Sequence, residues 1–266
     1  AAVTLADNDL GAVYQAARET LGPDALFLFT ADHGAQWPFA KWNCYDAGIR
    51  VPLIVEWPGV VKSGTQTDAM VSWVDLLPTL VEAAGGRPPE DIDGRSFLPV
   101  LRGEKSAHRD RIFTSHTGDG NWNIYPIRSV RTDRWKYIRN LHPEFAFTTH
   151  IDLVGDLGQR AYWSTWKDAA RTDPAAAAIV KRYHARPAEE LYDLATDPHE
   201  QQNLAADPAH AERLASLRRE VDEWMRAQND TAPLSGKPRL LSEPDSYGPN
   251  APSGADWGTT RTRAAR

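Results

Sequence analysis

The tightest constraint on this chain is an abrupt change of texture. Ala25-Leu-Phe-Leu-Phe29 is continuously apolar, and the polar triplet Asp32-His33-Gly34 follows it almost at once. A short apolar run without alternation predicts a strand buried on both faces, as in a parallel sheet. Arg50-Val-Pro-Leu-Ile-Val-Glu-Trp57 reads as a second strand, stopped by Pro58-Gly59. Ahead of both, Leu10, Val13, Tyr14, Ala17 and Leu21 fall on one helical face, with Asp7 or Asn8 as the candidate cap. Helix, strand, loop, strand is an α/β order.

Further along, Val71–Ala84 reads as a helix with Gly85-Gly86 as its stop; Pro78 either kinks it or marks a new start. Ser96–Leu101 reads as a short helical turn. After a polar stretch to His108 the pattern shifts to short strands at 111–115, 127–131 and 135–139, the last two joined as a hairpin. Asp173-Pro174 opens a helix to about His184, 190–194 is a strand, and Asp207-Pro208 opens another helix. This places a domain boundary near 105, giving regions 1–105 and 106–228. Residues 229–266, rich in Pro, Gly, Ser and Thr, are expected to be extended or disordered.

The 266 residues are 41% hydrophobic and 25% charged, with a formal net charge of -6. No basic run offers a nucleic-acid footprint, and no apolar run approaches the roughly 18 residues of a membrane span. The single cysteine, Cys44, excludes an internal disulfide framework. The chain opens one helix ahead of a strand without Met or signal peptide, so it is expected to be the C-terminal part of a longer protein.

Asp32 and His33 stand at the carboxyl end of the first strand, where open α/β sheets place ligands. An Asp oxygen and a His nitrogen can hold a divalent cation. Gly34 would let the backbone turn sharply beside it. Lys41 lies far enough on for a loop to fold its ammonium over an anion. From the three residues alone, a cap and a turn is the simpler reading.

The segments that follow tip the balance. Lys41-Trp-Asn-Cys-Tyr-Asp-Ala-Gly-Ile-Arg-Val-Pro52 resembles the sulfatase pattern G-K-x-x-x-Y-E-G-G-x-R-V-P, with Asp32-His33-Gly34 as the D-N/H-G element before it. In the same order come Pro52–Gly59, Val74-Asp-Leu-Leu-Pro-Thr-Leu80, Asp93-Gly-Arg-Ser-Phe-Leu-Pro99, Arg131–Ile138 and Glu190–Leu204, each similar to a segment of that family. The resemblance covers roughly residues 8 to 225 and is closest to the heparan N-sulfatase and bacterial sugar-sulfatase branch. It implies the alkaline-phosphatase-like α/β sandwich, here the C-terminal part of its large domain, then a smaller α+β domain with an antiparallel sheet.

The resemblance also implies a mechanism: hydrolysis of a sulfate ester by a formylglycine, made from the Cys or Ser of C/S-x-P-x-R, with a divalent cation, usually calcium. Asp32 and His33 match the later pair of metal ligands, and Lys41 matches the lysine that contacts a sulfate oxygen and assists the leaving group. His33 stands where Asn is commoner, which admits manganese as well. His116 begins a loop resembling the substrate-facing loop of that branch, and Trp122 and Tyr125 either stack on a sugar or pack at a domain interface. No C/S-x-P-x-R occurs in the 266 residues, so Cys44 reads as a structural or lightly exposed thiol rather than a nucleophile, and the formylglycine is expected outside them. His142, His150, His184, His199 and His210 read as surface residues, and Arg50 as the partner of an acid. The implied substrate is a sulfated small molecule or glycan, the alternative activity phosphodiester or phosphonate monoester hydrolysis, and a third reading a non-catalytic fragment. Family habit places such enzymes in the periplasm or outside the cell.

Overall fold

The computed structural model describes residues 2–118, 123–153, 161–234 and 236–246. The chain is mixed α/β, and its contacts divide it into two compact units: Ala1–Asp32 with Val51–Ile112, and His33–Arg50 with Phe113–Arg266. Among the described residues, no helix is long and apolar enough to cross a membrane.

In the first unit, helix α1 (Ala2–Leu21) starts earlier than the sequence suggests, so Asp7 and Asn8 lie in its interior rather than capping it. Of its expected apolar face, Leu10, Tyr14 and Ala17 are partly covered, while Val13 and Leu21 are exposed. Tyr14 meets Phe27 edge-on at 5.1 Å and donates to Glu56 Oε1 at 2.8 Å. Strand β1 (Phe27–Thr30) pairs antiparallel with β2 (Leu53–Glu56), Phe27 opposite Glu56. The expectation of a parallel strand buried on both faces is therefore corrected: β1 is half-buried along its length. A continuous apolar run signals burial but carries no information about the partner's direction.

Pro78 marks a new start rather than a kink. A 3-10 turn at Trp73–Asp75, capped by Ser72, hands over to α3 (Leu76–Ala83), and Pro78 stands in the first turn of α3, where no N–H is needed. Asp75 is the hub of this region. Its carboxylate accepts from the backbone N of Ser72 and Arg95 and pairs with the Arg109 guanidinium. Burial pushes the Asp75 carboxyl up, but the Arg109 and backbone donors outweigh it and hold it below the usual range. Thr79 Oγ1 then accepts from Phe97 N, ahead of the short helix α4 (Leu98–Leu101).

The second unit holds a four-stranded sheet in the order β3 (Arg111–His116), β4 (Ile127–Thr132), β5 (Trp135–Asn140), β6 (Glu189–Asp193). The β4–β5 and β5–β6 pairs are antiparallel. The short helices α2 (Asp46–Ile49), α5 (His150–Leu153) and α6 (Ala161–Ala169) and the longer α7 (Pro174–His184) and α8 (Ala211–Ala227) complete it.

Pleating sends alternate side chains to opposite faces. Val130, Tyr137 and Leu191 pack on Leu214, Leu217 and Val221 of α8. Each of those helix side chains contributes about 1.5–3 kcal/mol of burial. Ile127, Ile138 and Tyr192 join Tyr45, Tyr125, Phe147, Trp163 and Tyr183 in an aromatic core on the other face. Both faces are covered, so the polar residues of these strands, Arg128, Ser129, Lys136 and Glu190 among them, are buried as well. The sequence anticipated α7, capped by Asp173, and α8, but not α6. Residues 236–246 are tied in through a bridge between Phe145 and Leu240.

The expected surface position of His184 is corrected, and the reading of Cys44 as a structural thiol is borne out. His184 is no surface residue: its Nε2 lies 2.8 Å from Asp152 Oδ1, beside the Trp163 indole donor on the same oxygen at 2.9 Å. Cys44 is fully buried, and burial pushes its thiol up, away from nucleophilic use.

Candidate active site

The polar triplet leaves β1 and enters a loop folded by its own backbone. Gly34 N donates to Gly48 O at 2.9 Å, and Lys41 N donates to Ala35 O at 3.1 Å. A Cβ at Gly34 would sit 1.8 Å from Ala47 O, and one at Gly48 would sit 2.2 Å from Ala40 O. Gly34 is thus required by close contact with the segment that begins α2, not by a turn beside a metal as the sequence suggested. The loop bends through two side-chain-bearing residues with left-handed backbone, Phe39 (φ 62°) and Trp42 (φ 66°).

Asp32 and His33 are both exposed. His33 Nδ1 lies 2.8 Å from Gly34 O; a carbonyl only accepts, so Nδ1 carries the hydrogen. A neutral His33 ring then has its lone pair on Nε2, the atom that would ligate a cation. An Asp carboxylate with an imidazole is a donor set that fits calcium incompletely and manganese better. Among the described residues, no group of three or more His, Cys, Asp or Glu could hold a metal ion. Two donors are fewer than either cation takes, so Asp32 and His33 by themselves do not make a complete metal site. Lys41 Nζ lies 4.6 Å from the centroid of the Trp42 ring. The fold thus returns Lys41 to the residues just after His33.

His116 ends β3, partly buried. Its Nε2 is 3.0 Å from Asn123 Nδ2, so the amide donates and the ring accepts, and its carbonyl takes a bond from Arg128 Nη1 at 2.9 Å. Arg128 also pairs with Asp230, at 2.9 Å from Nη2 to Oδ1. Tyr125 is buried in the aromatic core, which decides for internal packing over sugar stacking. Trp122 lies outside the described residues.

What the sequence reading missed is how the loop is fastened. Lys136, fully buried on β5, donates to Cys44 O at 2.9 Å and pairs with Asp46 Oδ1 at 2.6 Å and Glu200 Oε1 at 3.5 Å. Asp46 N donates to Glu200 Oε2 at 2.6 Å, and Arg131 Nε reaches Asp46 at 3.2 Å. Burial pushes the Asp46 carboxyl up, yet Lys136 and Arg131 hold it below the usual range. Burial dominates at Glu200, which is pushed up to about 7 against the opposing pull of Lys136. A second knot lies beside it: Glu190 accepts from Tyr45 and Tyr192 at 2.6 Å each and from Asn140 at 2.7 Å. The signal was present in W-K-Y-I, where a lysine interrupts a strand buried on both sides.

A cavity of about 310 Å³ opens beside this fastening, lined by Phe39, Tyr45, Asp46, Arg50, Arg182 and Glu200 among others. Arg50 shares that lining with two acids. None of Asp32, His33, Lys41 and His116 lines it.

Residues 33–156 match the family model described as N-sulphoglucosamine sulphohydrolase, C-terminal. The chain is 34% identical over 212 residues to an ulvan-active sulfatase of Formosa agariphila, covering 79% of this chain and 39% of that protein. It is 31% identical over 246 residues to human N-sulphoglucosamine sulphohydrolase, covering 84% and 46%. The solved structure of a 2-O GAG sulfatase superposes with a TM-score of 0.61 at 25% identity, covering 87% and 42%. The chain thus spans less than half the length of these relatives. It belongs to the sulfatase family, in the branch of N-sulphoglucosamine sulphohydrolase and the bacterial sugar sulfatases, and corresponds to the C-terminal part of those proteins.

Proposed function

We propose that this chain is the C-terminal part of a hydrolase that removes sulfate from a sulfated sugar or related small molecule. In this reading residues 1–105 belong to the alkaline-phosphatase-like catalytic sandwich, residues 106–228 form the smaller α+β domain, and 229–266 form the tail. Asp32 and His33 supply two of the ligands of a divalent cation, calcium or manganese. The cation would withdraw charge from a sulfate oxygen. Lys41 places its ammonium on a second sulfate oxygen and favours departure of the sugar oxygen. His116, oriented by Asn123, faces the sugar. The formylglycine nucleophile and the other metal ligands come from sequence outside residues 1–266.

The observation that carries this reading is the closure of the loop: the Lys41 N to Ala35 O bond at 3.1 Å brings the Lys41 backbone back to a residue two positions after His33. The ulvan-active sulfatase and the N-sulphoglucosamine sulphohydrolase among the relatives support a sulfated glycan as substrate class. The test compares turnover of an aryl sulfate and an aryl phosphodiester by the full-length protein. Sulfate release should dominate; faster phosphodiester cleavage would replace this reading with the phosphodiesterase alternative.

A further inference from the structure

A lysine that contacts an anionic substrate needs to be aimed without being neutralised. A carboxylate partner would fix the ammonium but cancel the charge that the substrate requires. An aromatic face fixes it through the ring quadrupole and leaves the charge intact. The loop around Lys41 contains such a face. The Trp42 indole lies under Lys41 Nζ at 4.6 Å and stacks on the His150 ring, with centroids 4.8 Å apart and planes 11° from parallel.

Trp42 is also held where a bulky residue seldom stays unless its surroundings impose it, at φ 66°. Three residues earlier Phe39 has φ 62°; its ring meets Tyr183 edge-on at 5.6 Å and carries the Arg182 guanidinium 4.7 Å over its face. Both aromatic rings pack against the same core cluster. Lys41 therefore sits on an arch with both feet anchored.

We propose that Trp42, stacked on His150, is the positioning residue for Lys41. It holds the ammonium in the orientation used on the substrate oxyanion and so lowers the ordering cost of a long, flexible side chain. The inference rests on the role of Lys41 given above. It adds an aromatic specificity to the loop: position 42 requires an electron-rich ring, not merely an apolar one.

The experiment replaces Trp42 in the full-length protein, site-specifically, with tryptophans of increasing ring fluorination, and measures aryl sulfate hydrolysis. Fluorination drains the ring face while nearly preserving shape. The expected result is a stepwise fall in kcat/KM reaching about tenfold, with thermal midpoint and metal content unchanged. Trp42→Phe should retain part of the activity, and Trp42→Leu should lose at least as much as the most fluorinated ring. Lys41→Met is measured in parallel. If Lys41→Met is inactive and the fluorinated series is flat, this inference is overturned and the role of Lys41 stands. If Lys41→Met keeps normal turnover, the role of Lys41 and this inference fall together.

Discussion

Glu200 shows how a single carboxyl can set the pH response of the molecule. It sits in the Asp197-Pro-His-Glu200 turn with left-handed backbone (φ 54°) and is almost wholly enclosed. Asp46 already neutralises most of what Lys136 offers, so Glu200 is the carboxylate left over, and burial lifts it to about 7. A group whose folded value is raised stabilises the fold fully below its unfolded value of 4.5 and loses that contribution as pH climbs to the folded value. Stability should therefore fall between about pH 4.5 and pH 7, by on the order of 1 kcal/mol per pH unit from this group, and level off above. Asp46 and Asp75 act oppositely: held low, they withdraw stability only as the medium becomes strongly acidic. Glu200→Gln should match the unmodified protein at pH 5 and exceed its thermal midpoint at pH 8. Equal midpoints at both pH values would show that Glu200 is not the titrating group.

At the scale of the element, the loop 33–50 is built by backbone contact first and ion pairs second. Gly34 and Gly48 allow strands of loop backbone to touch, and Lys136 with Glu200 then clamps Asp46 from the sheet side. Gly34→Ala forces a methyl to within 1.8 Å of Ala47 O, so one segment must move. The expected cost is about 2 kcal/mol, typical of overpacking, read as a lower denaturation midpoint in urea with unchanged slope. A midpoint equal to that of the unmodified protein would mean the loop yields freely. Much of this architecture was legible in the sequence: the hairpin at 127–140, the capped helices at Asp173 and Asp207, and the placement of Lys41 on a return loop. Three things were not, each for a physical reason. The direction of β1 depends on which strand it meets. The first residues, Ala1-Ala-Val3, hold no Ser, Thr, Asp or Asn to signal a helix start, whereas Asp7 and Asn8 do. The buried clamp joins Asp46, Lys136 and Glu200 across 90 and 64 residues, and no local pattern encodes a contact of that range.

For the whole molecule, the motif order that identified the family turns out to be a map of the fastening as much as of the chemistry. Asp75 and Gly94 in the first unit, and Gly34, Asp46, Lys136, Glu190 and Glu200 in the second, are motif positions whose work here is to hold segments together. The proposed reading leaves few residues for chemistry: Asp32, His33, Lys41 and His116. A hard cation takes six or more donors, and two residues of this chain are offered for it. Two consequences follow if the proposed reading holds. Residues 1–266 alone should bind a divalent cation weakly and release no sulfate from an aryl sulfate. In the full-length protein, Asp32→Ala should reduce bound metal, measured by atomic emission, and abolish turnover of the aryl sulfate; Asp32 is exposed, so the substitution opens no cavity in the core. Undiminished metal content would remove Asp32 from the ligand set. Sulfate release by the 266 residues alone would mean that the nucleophile lies among them after all, and that the absence of C/S-x-P-x-R had been misread.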